Sequence, residues 1–211
     1  MEEIPVDRIA PNFADVLQEN GFAFLEGSPD PSFALDSSMY LTYVNPAYLT
    51  FGCANGGLSV SNSFTGIGTF IGDFMREPLR QFYLNAYGMV IKDNKTWNHE
   101  YDCSSPKLYR RYLQSSFPLK GKGLVVINHL IEEGAHKTPS APPIKAHYLN
   151  DKQLIAQCSH CRKIRRQGIE AQWDWVAEWI AQPPEEVTHS LCEACTDYYY
   201  NDLQSTLAHP Q

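Results

Sequence analysis

The sequence predicts an α+β chain in two parts: an antiparallel sheet with flanking helices, then a small helical domain. Three observations carry this reading. Three strand-like runs stand in a row, "TWNHEYDCSS", "LYRRYLQSSFPL" and "GLVVINHLIEE", after a region of helical periodicity. The stretch "EGAHKTPSAPPIKAHYLNDKQ", rich in proline and small polar residues, then breaks all periodicity. Beyond it, two Cys-x-x-Cys pairs lie close together.

The chain has 211 residues, enough for one large domain or two small ones. Its composition, 43% apolar and 19% charged, is that of a globular protein and not of a disordered one. A net charge of -7 argues against a general polyanion-binding role. No apolar run is long enough to span a bilayer. The opening "MEEIPVDRIAPNF" lacks the basic-then-apolar pattern of a signal peptide, so a cytoplasmic location is expected.

Taken in order, "DVLQENGFAFLEG" begins with a helical pattern (Phe13, Val16, Leu17) and stops at glycine. "SFALDSSMYLTYVN" holds two short strands about a polar turn, "DSS". "NPAYLTFGC" starts a helix, with Pro46 in its first turn after Asn45. "FIGDFMREPLRQFYLNAYGMVI" is helical, with Phe70, Phe74, Leu79, Phe82 and Tyr83 as expected core positions, and Pro78 must interrupt or begin a helix. The three long strands follow, turning at "SSPK" and "KGKG". Within residues 151–211, "IEAQWDWVAEWIAQ" places Ile169, Trp173, Val176 and Ile180 at helical spacing and ends before "PP". "EACTDYYYNDLQSTL" reads as a last helix with Cys195 near its start, where negative charge is favoured.

The paired cysteines are Cys158 with Cys161 and Cys192 with Cys195; Cys53 and Cys103 stand alone. In a reducing compartment this pattern favours metal over disulfides. Four thiolates complete the tetrahedral shell that zinc takes in structural sites, and a unit of about 60 residues needs such support. Structural Zn2+ is the expected cofactor. A redox dithiol and iron–sulfur ligation compete with it, although neither pair has the βαβ setting of thioredoxin-like chemistry. His160 and His189 lie beside the cluster, where they could replace a ligand or donate hydrogen bonds to sulfur. A knuckle, a helical core and a final pair opening a helix resemble a treble clef.

The order of strands and helices over Pro31 to Glu133 resembles a PAS sensor domain. "SFALDSSMYLTYVNPAYLTFGC" looks like its opening hairpin, and the three long runs look like its closing strands. The resemblance implies a sensing domain with an unidentified ligand. Trp97, His99, Tyr101 and Asn128 are strand residues placed to face a pocket, since residues two apart share a strand face. Cys53 in "TFGCANGG" does not match the flavin-photoreactive word, and Phe70 to Val90 contains no histidine for an axial haem ligand. "CSHCRKIR…W…V…WI…P…THSLCEAC…YY" resembles a cysteine motif found after PAS domains in bacterial sensory proteins.

The expected organisation is therefore an N-terminal helical cap over 1–30, a PAS-like domain over 31–133, a linker over 134–150 and a four-cysteine zinc domain over 151–211. The resemblance implies a bacterial signalling module working with a small-molecule ligand and an effector or signalling protein, and the lack of a catalytic motif leads to the expectation that it is not an enzyme. The sequence shows no phosphate loop, Ser-His-Asp set or zincin helix. The amphipathic "PNFADVLQENGFAFL" has no obvious partner within the domain, so a homodimer is expected. Two alternatives remain: a zinc-containing transcriptional regulator that touches DNA through Arg162, Lys163, Arg165 and Arg166, and a zinc–thiolate redox sensor. Against nucleic acid, residues 151–211 hold 5 Lys/Arg and 9 Asp/Glu.

Overall fold

The computed structural model describes residues 8–55 and 66–201. The chain divides into two compact units. One comprises Met1–Met75, Tyr83–Tyr101 and Tyr112–Ile131; the other comprises Arg76–Phe82, Asp102–Arg111 and Glu132–Gln211.

The first unit is organised by a five-stranded sheet. After a short helix α1 (Phe13–Glu19) come β1 (Ser32–Asp36) and β2 (Leu41–Val44), then helices α2 (Pro46–Ala54) and α3 (Leu79–Asp93), then β3 (Trp97–Asp102), β4 (Leu108–Pro118) and β5 (Gly123–Ala135). The sheet order is β2-β1-β5-β4-β3. β1 pairs antiparallel with β2 and with β5, matching Ser32 to Ile127 and Asp36 to Gly123. The first and last strands of this sheet thus lie side by side in it.

Local chemistry explains these elements. The β1–β2 turn is tied by Asp36, whose carboxylate accepts from the Ser38 and Tyr40 amides, and Met39 takes a left-handed φ of 68°. α2 starts at Asn45, whose side chain accepts from the Tyr48 amide, with Pro46 in the first turn. Pro78 stands immediately before α3 and so begins a helix. At the β4–β5 turn, Lys120 and Gly121 have φ of 49° and 82°, the sign pattern of a tight hairpin. Gly123 lies so close to the Leu35 carbonyl that a Cβ would overlap it.

The sheet has two apolar faces. Leu124 and Val126 point to a cluster with Phe33, Leu35, Leu41, Val44, Ile71, Tyr87 and Val90. Val125 points the other way, to Ala34, Tyr43, Leu119, Leu25, Phe13 and Leu17. Phe13 and Leu17 belong to α1, so the leading helix has its partner within the chain and is not an unpaired dimerisation face. In the 70–91 region, Phe82 is buried as expected. Phe74 is 52% exposed, and Ala86, Tyr87 and Val90 take the inward positions instead.

The second unit contains β6 (Ile155–Cys158), β7 (Ile164–Arg165), β8 (Trp173–Asp174), helix α4 (Ala177–Ala181), β9 (Val187–Ser190) and the one-turn helix α5 (Glu193–Thr196). The strands form a sheet of order β8-β7-β6-β9. This corrects the expected helical domain. The long helix over "IEAQWDWVAEWIAQ" is not formed. Gly168 and Ala171 are left-handed, at φ 74° and 52°, and Trp173–Asp174 pairs antiparallel with Ile164–Arg165. The alternation in "QWDWV" prevails over the 3.6-residue period: β8 pairs with β7, and Asp174 accepts there from Tyr148, Arg166 and Gln172. Ile169, expected on the buried face, is 50% exposed.

Tyr148, Ile155, Ile164, Val176 and Trp179 form this unit's core. Tyr148 comes from the stretch read as linker and is fully buried, and the Ala141 amide donates to the Trp175 carbonyl at 2.8 Å. The final helix expected over "EACTDYYYNDLQSTL" is α5 followed by a π-type turn, Asp197–Asn201. Its expected continuation over 202–207 lies outside the described residues.

Candidate metal centre

The parallel pair β6–β9 explains why the cysteines meet. Parallel strands bring like ends together, and Cys158 is in register with Ser190, two residues before Cys192. The first knuckle is the β6–β7 turn. The Cys158 amide donates to the Lys163 carbonyl at 2.8 Å, the Arg162 amide donates to the Cys158 carbonyl at 3.1 Å, and Arg162 has a φ of 62°. The Ser159 amide donates to the Ser190 carbonyl at 2.7 Å, joining the two knuckles. Cys192 then caps α5, and Cys195 follows within that turn.

The ligand atoms of Cys158, Cys161, Cys192 and Cys195 all lie within 4.8 Å of one another, and the Cys161 and Cys192 sulfurs are 3.7 Å apart. A tetrahedron with metal–sulfur bonds of about 2.3 Å has edges of about 3.8 Å. The four sulfurs therefore fit one ion without rearrangement of the backbone. Cys158, Cys192 and Cys195 are buried and Cys161 is half-buried.

Packing four thiols this tightly separates their acidities. Hydrogen bonds from Cys161, Cys192 and Cys195 hold the Cys158 thiol far below its usual range. Bonds to Cys158 and Cys192 push Cys161 up, and bonds to Cys158, Cys161 and Cys192 push Cys195 up. Cys192 is lowered to about 7. A soft, thiolate-forming donor set of this kind suits zinc or iron–sulfur chemistry.

Backbone and histidine groups support the sulfurs. The Cys192 amide approaches the Cys158 sulfur at 3.4 Å. The Asp102 amide donates to His160 Nε2 at 3.1 Å, which makes Nε2 an acceptor and leaves the ring hydrogen on Nδ1. Nδ1 faces the Cys195 sulfur at 3.2 Å, so His160 is a hydrogen-bond donor to sulfur and not a fifth ligand. Burial lowers its pKa and favours this neutral form. His189 is exposed.

The basic run is dispersed. Arg162 donates to the Ile180 carbonyl at 3.2 Å, and Arg166 forms a 2.8 Å ion pair with Asp174 and faces the Tyr148 ring. Two of the four charges proposed for a phosphate-binding patch are therefore engaged inside the second unit.

In the first unit, the four residues expected to face a pocket fall into two contacts. Trp97 and His99 stack at 5.2 Å with an interplanar angle of 8°, and Trp97 packs against the Tyr87 cluster. The Tyr101 hydroxyl donates to Asn128 Oδ1 at 3.0 Å. Sequence reasoning missed Gln114 and Tyr87, which extend this pair. Gln114 donates to Asn128 Oδ1 at 3.1 Å and accepts from the Tyr87 hydroxyl at 3.0 Å. A glutamine amid the aromatics of "LYRRYLQSSF" was the available signal. Burial holds the Tyr87 hydroxyl protonated well above its usual range.

No protein-family model matches the chain, and no curated protein matches it. Among solved structures, a domain of an HTR-like protein from Haloarcula marismortui is 17% identical, covering 50% of this chain and 100% of that one, with a TM-score of 0.37. The PAS domain of a Colwellia psychrerythraea protein is 14% identical over 56% of this chain and 98% of its own, with a TM-score of 0.37. The PAS domain of Bordetella pertussis BvgS is 17% identical over 57% of this chain and 88% of its own, with a TM-score of 0.40. No described helix is long and apolar enough to cross a membrane.

Proposed function

We propose that this chain is a cytoplasmic signalling module in which a PAS-like sheet unit senses a small ligand or a partner and a zinc-stabilised unit helps relay the change to an effector protein. The carrying observation is the closed cluster of four sulfurs. Cys158, Cys161, Cys192 and Cys195 would hold the zinc. Four protein ligands leave a tetrahedral ion no open position for substrate, so the metal's part is structural and not catalytic. That leaves sensing to other groups. The polar line Tyr87–Gln114–Asn128–Tyr101, on the sheet face that also carries Leu124 and Val126, supports a ligand-responsive site there. Trp97 and His99 flank it as the aromatic wall. A ligand acts by binding one arrangement of these side chains better than another.

Native mass spectrometry of the purified chain tests the reading. The expected result is one zinc per chain and, in preparations carrying ligand, a small-molecule adduct. Iron with inorganic sulfide, or a chain that folds fully without metal, would overturn the zinc assignment.

A zinc–thiolate redox sensor is the second reading. It is favoured by Cys161, which lines a cavity of about 230 Å³ and is therefore open to small oxidants. Metal release by mild peroxide, reversed by thiol reductant, would select it.

A further inference from the structure

The cavity in the second unit has a wall with opposite charges left apart. Asp102 and Lys163 both line it. Among the described residues, neither forms an ion pair with the other or with any other group. The side-chain hydrogen bond of Asp102 comes from the Tyr109 hydroxyl, which donates to Oδ1 at 3.1 Å. Both positions are pinned through the backbone. The Asp102 amide is held by His160, and the Lys163 carbonyl accepts from the Cys158 amide. Asp102 and Lys163 are thus brought to the wall of one cavity by backbone contacts made at the cysteine knuckle.

A flat aromatic surface completes the wall. His136 stacks on Trp175 with ring centroids 4.3 Å apart, and its Nε2 donates to the Ser105 carbonyl at 2.8 Å, which fixes the ring. Lys137, the other ammonium at the cavity, already lies 3.5 Å from Glu132 and faces the Tyr109 ring. Outside the cysteine cluster, whose Cys161 also lines the cavity, the unpaired charges are therefore one of each sign, beside an aromatic plane. A lone anion would satisfy Lys163 and oppose Asp102; a lone cation would do the reverse. A ligand carrying both charges satisfies both. The volume, about 230 Å³, suits a small metabolite.

We propose that this cavity binds a free α-amino acid as its zwitterion. The ammonium group meets Asp102, the carboxylate meets Lys163, and the side chain lies against the Trp175–His136 stack. The site is separate from the sensing face of the sheet unit, so its failure would leave the proposed function standing.

The test uses the full, metal-loaded chain. L-Alanine and L-phenylalanine are titrated by calorimetry and by tryptophan fluorescence, beside 3-phenylpropanoate, which lacks the ammonium, and 2-phenylethylamine, which lacks the carboxylate. Saturable binding of at least one amino acid is expected, with the two monofunctional analogues at least about tenfold weaker than L-phenylalanine or L-alanine. Asp102→Asn and Lys163→Met should each weaken amino-acid binding about tenfold or more, while retaining the full metal content and an unchanged circular dichroism spectrum. Asp102→Asn keeps the backbone amide that His160 needs, and it should not weaken 3-phenylpropanoate. No binding of either amino acid up to about 10 mM, equal affinity for 3-phenylpropanoate, or unchanged affinity in both folded variants would overturn the proposal.

Discussion

Asn45 is fully buried and uses its whole amide. Its Oδ1 accepts from the Ser32 and Tyr48 amides, and its Nδ2 donates to the carbonyls of Leu25 and Asp30 at 3.1 and 2.9 Å. One side chain joins the segment before β1, the start of β1 and the start of α2. Asn45→Ala should cost the first unit about 3 kcal/mol or more, because several buried backbone groups lose their partner at once; urea unfolding followed by circular dichroism measures it. The cysteines give a second prediction at this scale. Structural zinc contributes on the order of 10 kcal/mol or more, against a domain stability of roughly 5–15 kcal/mol. Cys192→Ser should therefore lose the metal and expose Trp175 and Trp179, now each 5% exposed. Cys53→Ser and Cys103→Ser should keep a full equivalent of zinc, since neither belongs to the cluster. Zinc assay and tryptophan emission distinguish the two outcomes.

Among the elements, β8 shows how a polar residue selects a strand over a helix. Asp174 accepts from the Tyr148 hydroxyl at 2.9 Å, from Arg166 at 2.8 Å and from Gln172 at 2.9 Å. Burial opposes its charge, but these three donors prevail and lower its pKa. The same bond, together with burial, pushes the Tyr148 hydroxyl up to about 12. A carboxylate with a depressed folded-state pKa stabilises the fold above its unfolded value of 3.8. That contribution is lost as pH falls through the lower folded value. The second unit should therefore lose stability on acidification below about pH 4, and Asp174→Asn should be less stable at neutral pH with a flatter acid limb. Thermal melts between neutral pH and strong acid check this. An Asp174→Asn melt that tracks the parent at every pH would remove β8 from the account.

Across the molecule, the two units draw on different sources of stability. The first has two apolar clusters on opposite faces of a five-stranded sheet. Among the described residues, the second has a buried cluster of Tyr148, Ile155, Ile164, Val176 and Trp179 beside the four cysteines. Hydrogen exchange on the Cys192→Ser variant should show loss of protection in Ile155–Cys158 and Val187–Ser190, with protection kept in Ser32–Asp36 and Leu41–Val44. Uniform loss in all four strands would mean that the units fold as one. The net charge of -7 and the engaged Arg162 and Arg166 give the last prediction. Labelled duplex DNA should show no shift with this chain at physiological ionic strength, where about 8 Å of screening leaves only direct contacts.

Features under local control could be read from the residues alone. Asn45 with Pro46 starts a helix because capping and a fixed φ act within one turn, and the Lys120–Gly121 turn follows from its need for left-handed residues. The four-cysteine cluster was legible because two Cys-x-x-Cys spacings are each complete within four residues. Features that depend on distant partners emerged only on folding. Trp173 and Asp174 have a helical pattern around them, yet they became a strand because Ile164, Arg165 and Tyr148 lie alongside. Tyr148 sits among loop-forming prolines and became core because Trp179 stacks against it edge-on. Phe13 and Leu17 looked unpartnered because, besides Leu25, their cluster is completed by Ala34, Tyr43, Leu119 and Val125 from elements later along the chain. Asp102 and Lys163 carry no motif at all. They share a cavity only because the β6–β7 knuckle and the end of β3 are folded into the same unit.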